Sequence, residues 1–296
     1  MISVVVLAYN VGEYLAECLR SVTCQRLVDL EVIAIDNGSP DACGTIIDGF
    51  AAADPRVIPL HLDTSVDMGE ARNAGLAQAK GDYILFLDGD DALAEPSSLL
   101  TISRAIDRYA RPDVLFYDFF YRRHCDLRRT SNLTRVLHHQ AGPFRLRDRP
   151  QAIRVSWSSC NKAYRRAFVE STGLRFPPGY YEDSVWSCRC LLSATTIATL
   201  DTVCMNYRCC RRESVSRRPS ARHTEVFDQY DRIFDFLDAH PDLEFPGIRA
   251  EIMTCMAGFL RALGTSRKVI PHDILDDFRR RAEEYIDHRG SGLVGL

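Results

Sequence analysis

Short apolar runs, recurring with helix-length gaps between them, constrain this chain more than any other feature. The first, Ile2–Ala8, is apolar at every position except Ser3, the pattern of a strand buried on both faces. Stretches 30–35, 57–62 and 83–87 repeat the theme, and 114–120 adds an aromatic version. The gaps read as helices. Residues 12–24 set Tyr14, Leu15, Cys18, Leu19 and Val22 on one face. Ser39 before Pro40 suits the N-cap and first position of a helix running to about residue 53, and 69–80 and 99–109 supply two more. Strand and helix thus alternate over about 120 residues, with crossovers long enough for parallel pairing. An open α/β sheet is expected, and such sheets bind ligands beyond the carboxyl ends of their strands. That rule singles out Tyr9 and Asn10, Asp36 to Ser39, and Asp88 to Asp91.

The second half reads differently. Residues 122–154 are irregular and rich in arginine, 163–171 and 183–192 look helical, and Ile197–Arg208 looks like a strand. Beyond Pro219, helical stretches at about 225–239, 248–263 and 273–288 are punctuated by Pro241, Pro246 and Pro271.

Composition excludes several classes. A net charge of −3 over 296 residues supplies no global field to draw in nucleic acid. No apolar stretch approaches the roughly 20 residues needed to span a bilayer, and the opening run is too short for the core of a signal peptide. A cytoplasmic protein is expected. The 11 cysteines are odd in number and scattered, so reduced thiols are expected rather than a disulfide framework. The arginines between Arg122 and Arg154 could recognise a phosphorylated acceptor, although a solvated basic face is the simpler reading.

The densest chemistry follows the fourth apolar run. Asp88-Gly89-Asp90-Asp91 crowds three acids into one turn, where they repel one another unless a cation is present. Magnesium and manganese take oxygen ligands, often one or two carboxylates completed by substrate phosphates, and a metal so placed stabilises a departing diphosphate. Gly89 allows close backbone approach. The bland alternative is an acidic turn capping the helix that begins near Pro96.

Four blocks, in this order, resemble the inverting glycosyltransferases of family two, which have the GT-A fold. They are Val4-Val5-Val6-Leu7-Ala8-Tyr9-Asn10, Glu31-Val32-Ile33-Ala34-Ile35-Asp36-Asn37-Gly38-Ser39-Pro40-Asp41, Gly69-Glu70-Ala71-Arg72-Asn73-Ala74-Gly75-Leu76 and Gly81-Asp82-Tyr83-Ile84-Leu85-Phe86-Leu87-Asp88-Gly89-Asp90-Asp91. The resemblance implies a Rossmann-like, mostly parallel sheet flanked by helices, with a mainly helical C-terminal region. It divides the chain into a nucleotide-sugar-binding half (1–120), an acceptor-binding and catalytic-base half (121–218) and helices (219–296). Ala8, Tyr9 and Asn10 would line the base pocket, and Asp36 would accept a hydrogen bond from the base. Asn37 stands where an Asp is common. Arg72 and Asn73 would face the nucleotide or its phosphates, Asp88 and Gly89 the ribose and sugar, and Asp90 would hold Mg2+ or Mn2+.

A second set of matches covers Asn161-Lys162-Ala163-Tyr164-Arg165-Arg166, Tyr181-Glu182-Asp183 and Tyr207-Arg208 through Ser214. It implies that Asp183 is the general base, opposite the leaving diphosphate and within reach of the acceptor hydroxyl. Without the resemblance, Glu182 and Asp183 read as acids favoured at a helix start. Arg208 and Arg212 are candidates for the diphosphate, in a block one residue longer than the usual spacing. Trp157, Lys162, Glu182 and Trp186 are candidates for the acceptor side, the tryptophans because they could stack on a sugar ring.

The expected partners are a UDP- or GDP-linked sugar and a hydroxyl-bearing acceptor, in cell-surface polysaccharide, glycolipid or antibiotic biosynthesis, without nucleic acid. Peripheral membrane contact, through helices bearing Arg279-Arg280-Arg281, and homo-oligomer formation are compatible with the sequence. The competing readings are a nucleotidyltransferase, which would usually open with a glycine-rich phosphate loop absent from residues 7–11, and a non-catalytic nucleotide-sugar binder.

Overall fold

The computed structural model describes residues 1–123, 126–129, 142–155, 157–209, 211, 214, 217–266 and 269–291. Its first half alternates as the apolar runs require: β1 (Ile2–Ala8), α1 (Gly12–Thr23), β2 (Leu30–Asp36), α2 (Cys43–Ala53), β3 (Val57–His61), α3 (Met68–Gln78), β4 (Tyr83–Asp88), β5 (Ala92–Leu93), α4 (Ser98–Arg108) and β6 (Val114–Arg123). The remainder comprises β7 (Asp126–Arg129), β8 (Lys162–Arg165), α5 (Arg166–Thr172), α6 (Glu182–Ser193), β9 (Ile197–Arg208), α7 (Val226–Ala239), α8 (Ile248–Thr265) and α9 (Leu275–Ser291).

One sheet, in the order β3-β2-β1-β4-β8-β6-β9-β5, runs across both halves, with β7 paired to β6. The strands β1 to β4, β6 and β9 point one way, and β5, β7 and β8 the other. β1 is central, with Val4 in register with Val32 on one side and Leu85 on the other. All seven of its residues are buried, because helices cover both faces of the sheet. Among the described residues no helix is long and apolar enough to cross a membrane.

Two expected elements differ from the sequence reading. Ser39 does not cap α2, which starts at Cys43. Its N-cap is Ala42, and just before it the Asp41 carboxylate accepts the backbone N–H of Cys43 at 3.1 Å and of Gly12 at 2.8 Å, tying the starts of α1 and α2 together. The stretch 163–171 is not one helix. Lys162–Arg165 is a strand that pairs antiparallel with both β4 and β6, because those two strands leave a slot that only an extended segment can fill.

Trp186 belongs to the core. On α6 it stacks on Phe176 with ring centroids 4.2 Å apart and meets Phe86 edge-on at 6.0 Å. At 1% exposure it cannot stack on an acceptor ring. Trp186→Ala should therefore lower stability by about 3–5 kcal/mol, read as a drop in the urea midpoint at unchanged m-value. A loss below about 1 kcal/mol would contradict this packing role.

Candidate active site

A cleft of about 340 Å³ opens beyond the carboxyl ends of β1, β2 and β4, where an open α/β sheet is built to bind. Its far wall is the start of α6 together with side chains from 207 to 223. At the end of β1 the chain turns sharply, with Asn10 in the left-handed region (φ 52°) and Tyr9 standing exposed on the cleft wall. Gly89 follows β4 where a Cβ would lie 3.0 Å from the Leu7 carbonyl oxygen. Only glycine lets the Asp88–Asp90 turn press this closely on β1.

Arg72 joins the two walls. Its α3 lies hard against the segment before α6, since a Cβ on Gly69 would meet the Pro177 carbonyl oxygen at 2.5 Å. The Asn73 amide secures that contact, donating to the Phe176 carbonyl at 2.9 Å and accepting its N–H at 3.0 Å. Arg72, only 2% exposed, then donates to Asp88 Oδ1 at 2.8 Å and to Glu182. Burial pushes the Glu182 carboxyl up to about 7 while Arg72 pulls the other way. Asp183, next in sequence, lines the cleft. Burial raises its pKa, with Arg72 opposing and Asp88 reinforcing the rise. Among the described residues no other side chain hydrogen-bonds the Asp183 carboxylate.

Asp90 faces a different cation. Its Oδ2 accepts from Arg211 Nε at 2.9 Å, and Arg211 also donates to the Asn10 carbonyl at 3.2 Å. Burial, and then the negative charge of Asp88, raise the Asp90 pKa. Two cleft-facing carboxylates whose charges oppose each other are an oxygen donor pair suited to a hard divalent cation. Among the described residues no group of three or more His, Cys, Asp or Glu side chains is arranged to hold a metal, so phosphate and water would have to complete the shell.

The arginine block resolves differently from its sequence reading. Arg208 lines the cleft but is largely engaged in bracing the acidic turn. It donates from its backbone to Asp91 Oδ1 at 2.7 Å, from Nε to the Asp90 carbonyl at 2.8 Å, and to Glu17 at 2.7 Å, with its guanidinium 4.5 Å from the Tyr14 ring centroid. Arg212 lies outside the described residues. Arg211, not singled out from the sequence, holds Asp90; the block's extra residue had left the register between 208 and 214 open.

Other candidates fall away from the cleft. Asp36 turns its carboxylate toward α2, accepting the Ser39 N–H at 2.9 Å and lying 3.7 Å from the His61 ring. Asn37 lines the cleft instead, and its amide exchanges hydrogen bonds with the backbone of Val66 at 2.9 and 3.0 Å. Ala8 is buried behind Tyr9. Lys162 is buried, donating to the Ser158 carbonyl and to Asn161 Oδ1, and burial pulls its pKa down to about 7. Trp157 donates its indole N–H to the Ile153 carbonyl at 2.6 Å and packs on Tyr230. Of the four acceptor-side candidates only Glu182 lines the cleft, and it is held by Arg72. That wall is formed instead by Tyr181, from the matched Tyr181-Glu182-Asp183 block, with Tyr180, Arg218, Arg222 and His223, which carried no recognisable motif.

A mixed, mostly parallel sheet with an acidic turn at its rim and a helical C-terminal region is the GT-A fold. The chain belongs to glycosyl transferase family 2, whose model matches residues 3–173. It is 29% identical over 215 residues to the uncharacterized glycosyltransferase EpsJ of Bacillus subtilis, a match covering 70% of this chain and 61% of that protein. It spans less than two thirds of the length of the curated relatives it matches first. Among solved structures, S. aureus TarS (residues 1–349, with UDP-GlcNAc) superposes with a TM-score of 0.66 at 20% identity, covering 100% of this chain and 92% of that one. The mannosyltransferase PcManGT of Pyrobaculum calidifontis, with GDP-Man and Mn2+, gives 0.57 at 17% identity over 99% and 87%.

Removing Arg72 strands two carboxylates in the cleft, so Arg72→Ala should cost about 3–5 kcal/mol in guanidinium unfolding. The deficit should shrink as pH falls toward about 7, because Glu182, at about 7 beside Arg72, is pushed higher without it and takes up its proton at a higher pH than in the unaltered protein. A deficit independent of pH would exclude Glu182 as the stranded group.

Proposed function

We propose that this protein transfers a sugar from a uridine or guanosine diphosphate sugar to an acceptor hydroxyl by direct displacement with inversion. The observation that carries this reading is the meeting of Asp88 and Asp90 from one wall with Asp183 from the other, in a single cleft at the sheet's rim. Supporting the donor class, the similar folds of TarS and PcManGT are described with UDP-GlcNAc and with GDP-Man and Mn2+.

Each residue then has a task. Tyr9 offers its exposed ring to the base. Arg72 holds the Asp88 carboxylate toward the donor. Asp183 accepts the proton of the attacking hydroxyl, and its raised pKa brings it nearer to a base useful at neutral pH. Arg211 leaves Asp90 when the donor enters and turns to the diphosphate. Asp90, with Asp88, would hold Mg2+ or Mn2+, which supplies positive charge to the departing diphosphate. In this scheme residues 1–120 take the donor, 121–218 contribute the base and acceptor wall, and 219–296 are the helical region. The acceptor is a glycan, glycolipid or small natural product.

Asp183→Asn should lower turnover by roughly 10²–10⁴-fold and leave the donor dissociation constant in place. In the unaltered protein the rate should fall on the acid side at a pH above the ordinary aspartate value of 3.8, because the base works only when deprotonated. An unchanged rate in Asp183→Asn removes it from the mechanism. Asp90→Asn should weaken donor binding in Mn2+ much more than in EDTA, measured by calorimetry; equal affinity in both media, in the unaltered protein, contradicts the metal role.

A further inference from the structure

We infer that the start of the C-terminal helical region is a clamp that positions the base, with Glu225, Arg222 and His223 holding the 178–181 turn so that Asp183 faces the cleft. This rests on the reading of Asp183 as the base. The turn needs holding. Gly179 has φ 101° and Tyr181 has φ 66°, the latter a left-handed conformation that a side-chain-bearing residue adopts only when its surroundings impose it. Tyr181 is also the N-cap of α6, and no side chain caps that helix. At the start of α6 the Ser184 N–H donates to the Tyr181 carbonyl at 3.1 Å, and Glu182 and Asp183 come next.

The missing restraint arrives from across the fold. Glu225 Oε2 accepts the Tyr180 N–H at 2.8 Å, and Asp67 Oδ2 accepts the Gly179 N–H at 3.0 Å. Arg222 ties those two acids together, donating to Glu225 Oε1 at 2.7 Å and Asp67 Oδ1 at 2.8 Å, and lies 4.3 Å from the Tyr180 ring centroid. Gln229 donates to the Pro178 carbonyl at 2.8 Å. The approach is so close that a Cβ on Gly179 would meet Gln229 at 2.8 Å and Glu225 at 2.9 Å. On the other side of the turn, His223 Nε2 lies 3.0 Å from the Arg218 carbonyl, which can only accept. The proton is therefore on Nε2, and Nδ1 accepts from the Tyr181 hydroxyl at 2.6 Å. Burial lowers the His223 pKa and favours that neutral form. Consecutive residues from 178 to 181 are thus each held from outside their own segment, Glu182 is held by Arg72, and Asp183 follows directly.

Glu225 does not line the cleft, so its replacement separates positioning from substrate contact. The test compares Glu225→Ala with Glu225→Gln in the full chain, using UDP-GlcNAc and GDP-Man with Mn2+ as probes. Three quantities are read: donor dissociation constant, rate of nucleoside diphosphate release with water as acceptor, and amide exchange over 179–184. Glu225→Ala should slow release by about 10- to 100-fold with the donor constant little changed, and speed exchange at 179–184. Glu225→Gln should recover part of the loss, because its amide oxygen still accepts the Tyr180 N–H while its NH2 cannot accept from Arg222. If Glu225→Ala unfolds, Gln229→Leu, which removes the donor to the Pro178 carbonyl and also lies off the cleft, makes the same comparison. Unaltered exchange at 179–184, unaltered release despite faster exchange, or equal loss in the two Glu225 variants each overturns the clamp. Asp183→Asn in parallel tells the two ideas apart. Full release by Asp183→Asn removes the base, and the clamp's role with it, whereas loss in Asp183→Asn beside a normal Glu225→Ala sinks the clamp alone.

Discussion

A single buried guanidinium holds this cleft together. Arg72 sits between Asp88, at the end of β4, and Glu182, at the start of α6, groups 94 positions apart in the chain, and it touches both. Buried without it, these carboxylates would repel each other and would be unpaired in a site where desolvation is costly. With it, the wall bearing Asp88 and the wall bearing Asp183 are held at one spacing. Lysine could not reproduce this, because only a planar fork presents separate donors to acids on two sides.

The same economy of charge extends through the cleft. Asp90 is met by Arg211, Asp67 and Glu225 share Arg222, and Glu17 shares Arg208 and Arg122. Asp183 stands apart. Its negative charge is moderated from a distance by Arg72 and Lys162, and among the described residues no side chain hydrogen-bonds it. On the proposed reading of Asp183 as the base, a carboxylate that accepts a proton from an incoming hydroxyl is best left in that condition, whereas those that hold or orient are tied down.

The sheet was legible because its strands are continuous apolar runs and its helices carry clean amphipathic faces. β1 and β9 fall on their expected residues, and α7, α8 and α9 lie within a few residues of theirs. Lys162–Arg165 was missed because pairing with β4 and β6, not local preference, makes it a strand. In the site, the acids followed from their place after β4 and from a family pattern. Arg211, Arg222 and His223 could not be found that way. Arg211 meets the turns at 10 and 90, Arg222 and His223 those at 67 and 180, all through folding of the chain after β9 back onto the sheet's rim, and nothing periodic in the sequence announces such contacts. Asp36, Trp186 and Lys162 show the converse: a polar or aromatic residue in a suggestive block can face a neighbouring helix or the core.

The central claim is that the cleft joined by Arg72 is a nucleotide-sugar site. Thermal unfolding in the presence of uridine, guanosine, adenosine and thymidine diphosphates and their sugars, with and without Mn2+, addresses it most directly. A ligand at about 100 times its dissociation constant should add about 2.7 kcal/mol of stability. One base should stand out, with a larger shift when Mn2+ is present. An unmoved transition across the whole panel, in either medium, would contradict the account.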